Sequence, residues 1–202
     1  MRIKDCKSLS LLLLGFFLLP ALLTAQEAPQ RSLEAIEFFA GYGWNQLKPF
    51  KAGEPRKDYR QIPLLADFDF NLKNFTKKVG VNPPGLLQFQ VEPFFSFVTS
   101  PDRNIETGTS FFIKIGILPQ TSRIQPYIKA GPGMVYMTQN TAEQGTKFNF
   151  IETGAAGFHF FINKNTAFSA EYRFRHLSNA GIKEPNGGIN SRFVLAGVTY
   201  QY

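Results

Sequence analysis

Apolar and polar residues alternate with a period of two along most of this chain, which is the pattern of β-strands that have two different faces. Eight segments show it, and each is long enough to cross a bilayer at a tilt, which takes about 9–11 residues. The predicted strands cover residues 34–46, 62–72, 86–98, 105–118, 124–136, 147–161, 166–178 and 190–202. Seven Tyr and 22 Phe are spread through these short segments among 17 Gly and 13 Pro, which favours an all-β fold.

The polar face of the predicted strands indicates which side is buried. Its charged residues are Glu37, Asp67, Asp69, Glu92, Lys114, Lys129, Glu171, Arg173 and Arg175. Acids and bases are nearly balanced in this set, as expected for a narrow lumen filled with compensating ion pairs, because buried charges need partners. We therefore predict an eight-stranded antiparallel transmembrane β-barrel of the bacterial outer membrane, with a water-soluble lipocalin-like barrel as the alternative.

The lengths of the connections suggest an orientation in the membrane. The turns at 119–123 and 163–165 are short, as periplasmic turns are, whereas the segments 47–61, 137–146 and 179–189 are longer, as outward-facing loops are. The connection at 73–85 is the exception, since it would be a long periplasmic turn. Either a helical turn or an extended strand end would account for its length.

The first 25 residues have the layout of a secretory signal peptide. Arg2, Lys4 and Lys7 precede an apolar stretch at 9–23, and small residues surround a cleavage point after Ala25. An uncleaved anchor helix is the alternative. The remaining residues 26–202 are predicted to form a single barrel domain, and because the only cysteine is Cys6, the mature chain would contain no thiol.

The charge of the chain favours a membrane partner over a nucleic acid. The formal net charge is +7, and it would be +5 without the predicted signal peptide. Because an exported protein does not meet nucleic acid, anionic lipid head groups are the expected partner of this basic surface.

His176 and Ser178 are the candidate chemical groups. Both follow the phase of Phe174, on the side predicted to face lipid, while Arg173 and Arg175 take the lumen side. Residues two apart on one strand face lie about 6.6–7 Å apart at Cα, so suitable rotamers bring a hydroxyl and an imidazole together. Such a pair is the core of nucleophilic acyl transfer, and at the outer end of β-strand seven it would meet only a membrane amphiphile. A plain polar pair in the interface girdle is the alternative.

The run at 176–181 (HLSNAG), followed by 185–189 (PNGGI), resembles the active-site signature of lipid A 3-O-deacylases, outer-membrane proteins also described as acyloxyacyl hydrolase-like. This resemblance implies ester hydrolysis that releases a fatty acid from lipid A, without a metal or an organic cofactor. It implies that Ser178 is the nucleophile and His176 its general base. It also implies that Asn179 and the backbone amides near Ala180 and Gly181 form the oxyanion hole.

One position departs from the family pattern, which has a Glu fourteen residues after the histidine, where this chain has Asn190. An amide can fix the tautomer of an imidazole, but it cannot stabilise an imidazolium by charge. If Phe160 pairs with Phe168, Glu152 lies directly opposite His176, and we hypothesise that it replaces the missing acid. Alternatively, Glu152 pairs with a lumenal arginine. Glu184 is nearer in sequence, but the direction of its side chain cannot be read from the pattern.

Two functions are consistent with the sequence. The first is an outer-membrane serine esterase that deacylates lipopolysaccharide at the lipid-facing side of the barrel. The second is a non-catalytic structural or adhesive barrel with a decayed site. A pore ranks below both, because eight strands leave an interior just wide enough for side chains. The sequence leaves open which acyl chain is removed, whether activity is latent, and whether the protein forms a homodimer.

Overall fold

The computed structural model describes residues 32–46, 58–139 and 141–202, so the predicted signal peptide at 1–25 lies outside the described residues. Eight antiparallel strands pair in chain order, and the last pairs with the first to close a barrel. They are β1 (Leu33–Gln46), β2 (Asp58–Asn71), β3 (Leu87–Ser100), β4 (Asn104–Gly116), β5 (Ile124–Met137), β6 (Phe148–Phe161), β7 (Thr166–Ser178) and β8 (Ile189–Gln201). The predicted fold class is confirmed.

The strand ends agree with the pattern to within two residues except at the start of β2. That strand begins at Asp58 rather than at residue 62. Tyr59 and Gln61 point into the lumen, and the Tyr59 hydroxyl donates a hydrogen bond to Glu106. The alternation did not predict this extension, because the outward positions, which are apolar elsewhere, are occupied here by the charged residues Asp58 and Arg60.

The long connection between β2 and β3 contains a helical turn, one of the two possibilities left open by the sequence. Helix α1 (Lys73–Thr76) is followed by a 3₁₀ turn, Lys77–Val79, which ends at Gly80 with a left-handed φ of 82°. The backbone N–H of Lys73 donates to Asn71 Oδ1 at 2.7 Å, and Lys73 Nζ donates to Gln120 Oε1 at 2.9 Å. These bonds attach α1 to the end of the barrel that carries the turn at 119–123. No helix in the described part of the chain is long and apolar enough to cross a membrane.

The outer surface of the barrel is apolar. Phe38 is 61% exposed, Ile128 is 51% exposed and Phe174 is 45% exposed, and each lies on the outward face of its strand. A water-soluble barrel would bury such side chains in its interior. The reversed arrangement excludes the lipocalin-like alternative and fits a surface that contacts lipid.

The lumen contains all nine charged residues assigned to it from the alternation, and each is at most 4% exposed. Lys114 bonds to Glu37 at 2.6 Å and to Asp69 at 3.0 Å. Arg173 bridges two acids, Glu92 at 2.6 Å and Glu171 at 2.5 Å. The prediction that compensating ion pairs fill the lumen is therefore confirmed.

Two features of the lumen do not follow from the alternation of apolar and polar positions. Glu106 is a further buried acid, and it accepts a hydrogen bond from Arg175 at 2.8 Å. Phe39 is apolar but occupies an inward position of β1, in phase with Glu37, where it is 3% exposed and joins a buried apolar cluster. The other members of this cluster are Tyr59, Leu65, Phe94, Val98, Val135, Met137, Ile151, Leu177, Ile189, Phe193 and Leu195. The barrel interior is thus packed with side chains.

Candidate active site

His176 and Ser178 lie at the end of β7 on its outward face, and both are half-buried. Arg175 and Leu177, which alternate with them, are buried in the lumen. The direction of the pair therefore follows from the same alternation that fills the barrel with charge. The pair lies next to the loop 179–188, at the opposite end of the barrel from α1.

His176 is flanked by one polar residue on each neighbouring strand. Glu152 of β6 is its partner in the ladder on one side, and Asn190 of β8 is its partner on the other. Phe160 also pairs with Phe168, so the register used to place Glu152 beside His176 is confirmed. Glu152 points outward and is exposed, so it does not pair with a lumenal arginine.

The contact that orients the imidazole comes from Asn190. His176 Nδ1 lies 2.6 Å from Asn190 Oδ1. An amide oxygen only accepts hydrogen bonds, so Nδ1 carries the hydrogen and Nε2 is left as the acceptor. Glu152 makes no hydrogen bond or ion pair with any described residue, so it lies beside the ring without holding it.

Ser178 has its hydroxyl free. Its Oγ forms no hydrogen bond with His176 or with any other residue that the structure describes. Same-face neighbours two residues apart are separated by about 6.6–7 Å at Cα, so a rotamer change is enough to bring Oγ to the imidazole. Hydrogen bonds of this kind are often absent without substrate and form when the substrate binds.

The loop after Ser178 is organised around Asn179, whose side chain is fully buried. Asn179 Nδ2 donates to the carbonyl oxygens of Lys183 at 2.6 Å and Pro185 at 3.2 Å. Asn179 Oδ1 accepts the N–H of Gly181 at 3.0 Å. The side chain therefore holds the loop together, which differs from the expectation that its amide would face an oxyanion.

The backbone amides of this loop are not equivalent as donors. The N–H of Asn179 donates to Asn186 Oδ1 at 2.9 Å, and that of Gly181 is already used by Asn179. Among the three residues expected to form the oxyanion hole, Ala180 alone has an N–H without a partner in the described structure. Ala180 has a left-handed φ of 53°, and Gly181 follows with a φ of 76°.

Gly188 is a further residue at the site, and the alternation of apolar and polar positions assigns it no role. Its φ is 70°, and a Cβ built on it would lie 2.9 Å from His176 Cε1 and 3.6 Å from His176 Nε2. The bare backbone at this position therefore lies against the imidazole edge that carries the proton acceptor. Gly188 belongs to the PNGGI run, but periodicity does not reveal which loop residue contacts the ring.

Glu184 does not contact the imidazole. Its carboxylate accepts the N–H of Asn186 at 3.1 Å, two residues along the loop. Asn186 in turn forms an isolated antiparallel bridge with Gln144 of the neighbouring loop. These contacts give Glu184 a place in the loop rather than beside the ring.

The second histidine, His159, belongs to a separate cluster inside the lumen. His159 Nδ1 lies 2.7 Å from Ser169 Oγ, and His159 Nε2 lies 3.4 Å from Glu37 Oε1. The arrangement contains serine, histidine and carboxylate, but each of these side chains is at most 2% exposed. A lipid ester has no access to it, so this cluster packs the barrel.

Comparisons with known proteins agree with the fold and the signature. A family model described as lipid A 3-O-deacylase (PagL) matches residues 66–199. The crystal structure of the outer membrane enzyme PagL is 19% identical, with a TM-score of 0.60, and the alignment covers 81% of this chain and 97% of that one. Neisserial surface protein A (NspA) is 11% identical, with a TM-score of 0.56, covering 85% of this chain and 97% of its own. No curated protein sequence matches the chain. These matches give no support to a homodimer.

Proposed function

The chain belongs to the lipid A 3-O-deacylase (PagL) family of the bacterial outer membrane, and from this we propose that Ser178 and His176 hydrolyse an acyl ester of lipid A in the outer leaflet. The 2.6 Å contact between His176 Nδ1 and Asn190 Oδ1 is the observation that carries the proposal. It fixes the tautomer in which Nε2 can take a proton from the Ser178 hydroxyl.

The proposed reaction has two halves. In the first, His176 Nε2 removes the Ser178 proton while Oγ attacks the acyl carbonyl, and Nε2 then returns the proton to the departing sugar oxygen. In the second, a water molecule gives its proton to Nε2 and attacks the acyl-enzyme, which releases the fatty acid and restores Ser178. The free N–H of Ala180 is the proposed donor to the oxyanion, and the Asn179 side chain holds that donor in place.

Asn190 and Glu152 share the task that a single carboxylate performs in many esterases. Asn190 orients the ring by a hydrogen bond. Glu152 lies opposite His176 in the adjacent ladder, where directly opposed Cβ atoms are about 4.5–5.5 Å apart, and its charge favours the imidazolium that forms during the reaction. Asn190 is thus a positioning residue, and Glu152 is a source of charge.

The position of the pair supports lipid A as the proposed substrate class. Ser178 ends a strand on the outward face, between an apolar barrel wall and the loop that leaves it. A nucleophile at this level meets an ester that lies where acyl chains join their head group. This is the location of the ester-linked chains of lipid A in the outer leaflet.

Replacement of the nucleophile tests this proposal directly. We expect Ser178→Ala to reduce the release of hydroxy fatty acid from purified lipopolysaccharide by roughly a thousandfold or more, because the covalent step is lost. Mass spectrometry of the released acid and of the remaining lipid A measures it. Ser122→Ala, in a periplasmic turn, is the matched control and should retain full activity.

A second function is favoured by one observation, the amide at position 190. A barrel with a decayed site would serve a structural or adhesive role without turnover. If the unaltered protein, correctly folded, releases no fatty acid from lipopolysaccharide, the esterase proposal fails and this second function replaces it.

A further inference from the structure

Charged side chains on the outward face of the barrel are few and clustered. On the described strands they are Asp58, Arg60, Glu152 and Arg192. Asp58 and Arg60 form an ion pair with each other at 2.6 Å. Glu152 and Arg192 have no ion-pair or hydrogen-bond partner among the described residues, so each is an uncompensated charge on a surface that contacts lipid.

The depth of Arg192 is marked by its neighbours. It is paired in the ladders with Trp44 of β1 and Phe174 of β7. The rings of Trp44 and Tyr42 stack at 6.2 Å on the same outward face. Tryptophan and tyrosine in barrel walls collect at the membrane interface, so Arg192 lies at the level of lipid head groups.

Arg192 is also close to the candidate active site. Asn190 pairs with His176, and Arg192 is the next outward residue along β8, which makes it a diagonal neighbour of the histidine. Such diagonal neighbours are about 7–8 Å apart at Cα, and the long arginine side chain spans a comparable distance. Its guanidinium can therefore contact a head group whose acyl ester lies at Ser178.

The chemistry of Arg192 selects a phosphate. A guanidinium presents paired N–H donors that match two phosphate oxygens, and this bidentate contact is strongest where water is scarce. Glu152, on the opposite side of His176, repels the same anion. The two charges together give a phosphorylated glycolipid one preferred orientation across the site.

We propose that Arg192 binds a phosphate of the lipid A head group and so positions the acyl ester at Ser178. The identity of the neighbouring site rests on the proposed deacylase function, whereas the phosphate contact rests on the depth, isolation and chemistry of Arg192. Arg192 is a binding and positioning residue in this scheme, and it takes no part in proton transfer.

Kinetics on phosphorylated and enzymatically dephosphorylated lipid A test the role in turnover. We expect Arg192→Gln to raise KM for the phosphorylated substrate about ten- to a hundredfold with little change in kcat, as loss of a charge-assisted contact does. The variant and the unaltered protein should act alike on dephosphorylated lipid A. Arg60→Gln is the matched control, because Arg60 also pairs with Trp44 but is already bound to Asp58.

Binding measured without turnover separates this proposal from the deacylase function. Trp44 is the only tryptophan in the chain and is paired with Arg192, so its fluorescence reports on this position. In a Ser178→Ala background, phosphorylated lipid A in detergent micelles should change the emission, and dephosphorylated lipid A and inorganic phosphate should have a much weaker effect. Adding Arg192→Gln should remove the response.

The possible outcomes are distinct. If the protein is inactive but the Arg192-dependent response to phosphorylated lipid A remains, the deacylase proposal fails and the phosphate site stands. If the protein is active but Arg192→Gln changes neither KM nor the Trp44 response, the phosphate site is wrong and the deacylase proposal stands. An equal response to inorganic phosphate alone would also overturn a site for lipid head groups.

Discussion

Asn190 gives His176 an orientation without giving it a counter-charge. Its amide oxygen accepts the Nδ1 hydrogen at 2.6 Å, and the nearest carboxylate in the ladders is Glu152 on the other neighbouring strand. Separating these two tasks makes each of them accessible to mutation. The chain therefore allows hydrogen bonding and charge to be measured independently at one imidazole.

Substitutions at position 190 should move activity in opposite directions. Asn190→Ala removes the hydrogen bond that fixes the tautomer, and we expect kcat to fall about ten- to a hundredfold. Asn190→Glu keeps an acceptor and adds charge, and we expect a rise of about tenfold, equivalent to roughly 1.4 kcal/mol of transition-state stabilisation. Initial rates of fatty acid release from lipid A measure both. Equal rates for all three proteins would show that Asn190 does not position the ring.

The carboxylate of Glu152 should contribute most to kcat when residue 190 carries no charge. We expect Glu152→Gln to lower kcat by about three- to tenfold in the natural chain, because the imidazolium loses the carboxylate that lies opposite it in the ladder. In the Asn190→Glu background the same change should cost less, and a double-mutant cycle gives the coupling between the two sites. Unchanged turnover of Glu152→Gln would remove Glu152 from the mechanism.

The residues of the site were predictable to different degrees. The outward direction of His176 and Ser178 and the position of Glu152 follow from a period of two and a short turn, because these fix phase and register. The burial of Asn179 and the contact of Gly188 with the imidazole were not predictable. They depend on hydrogen bonds and left-handed φ angles within an irregular loop, which leave no periodic signal in a sequence.

At the scale of one element, the loop 179–188 forms the boundary of the candidate site next to His176. Asn179 holds the loop together through hydrogen bonds to the carbonyl oxygens of Lys183 and Pro185. Gly188, the last residue of the loop, lies against the imidazole. The loop thus determines how much space surrounds His176 Nε2. Its two neighbouring glycines provide a test of this role.

Adding a methyl group at Gly188 should impair the site and leave the barrel intact. The new Cβ would lie 2.9 Å from His176 Cε1 and would sit on a residue with a φ of 70°, so either the loop or the ring must move. We expect Gly188→Ala to lower kcat/KM by about tenfold or more. Gly187→Ala is the control, since its Cβ would have no contact closer than 3.7 Å.

If both glycine variants retain full activity, the loop does not confine the imidazole. The comparison is meaningful only for folded barrels. The shift in electrophoretic mobility between heated and unheated samples shows whether each variant is folded. Circular dichroism in detergent gives an independent check of strand content.

At the scale of the molecule, buried charge and buried apolar packing share the interior. Lys129 contacts three carboxylates, Asp67 and Glu92 at 3.3 Å and Glu171 at 2.9 Å. The alternation predicted which charges enter the lumen, whereas their pairing could not be predicted. Pairing depends on the stagger of strands around the closed barrel, which brings together residues far apart in sequence.

Removing the charge of Lys129 should destabilise the whole barrel. Lys129→Met leaves three buried carboxylates without their shared cation, and we expect a loss of about 3–5 kcal/mol in the free energy of unfolding. Urea titration in lipid vesicles, followed by tryptophan fluorescence, measures it. Lys164→Met in the exposed β6–β7 turn is the control and should change stability by less than about 0.5 kcal/mol.

The outward charges lie on β2, β6 and β8, and the outward faces of β3, β4 and β5 carry none. The barrel is therefore asymmetric around its axis: one side carries the outward charges, and the side formed by β3, β4 and β5 is uncharged. A protein that spans the membrane cannot tumble freely. It exposes a different side to a given lipid only by rotating about the bilayer normal. Under the proposed function, lipids that collide with the uncharged side do not reach Ser178, so the rate of deacylation in a stiff leaflet would depend on how quickly the barrel rotates as well as on how quickly lipids diffuse.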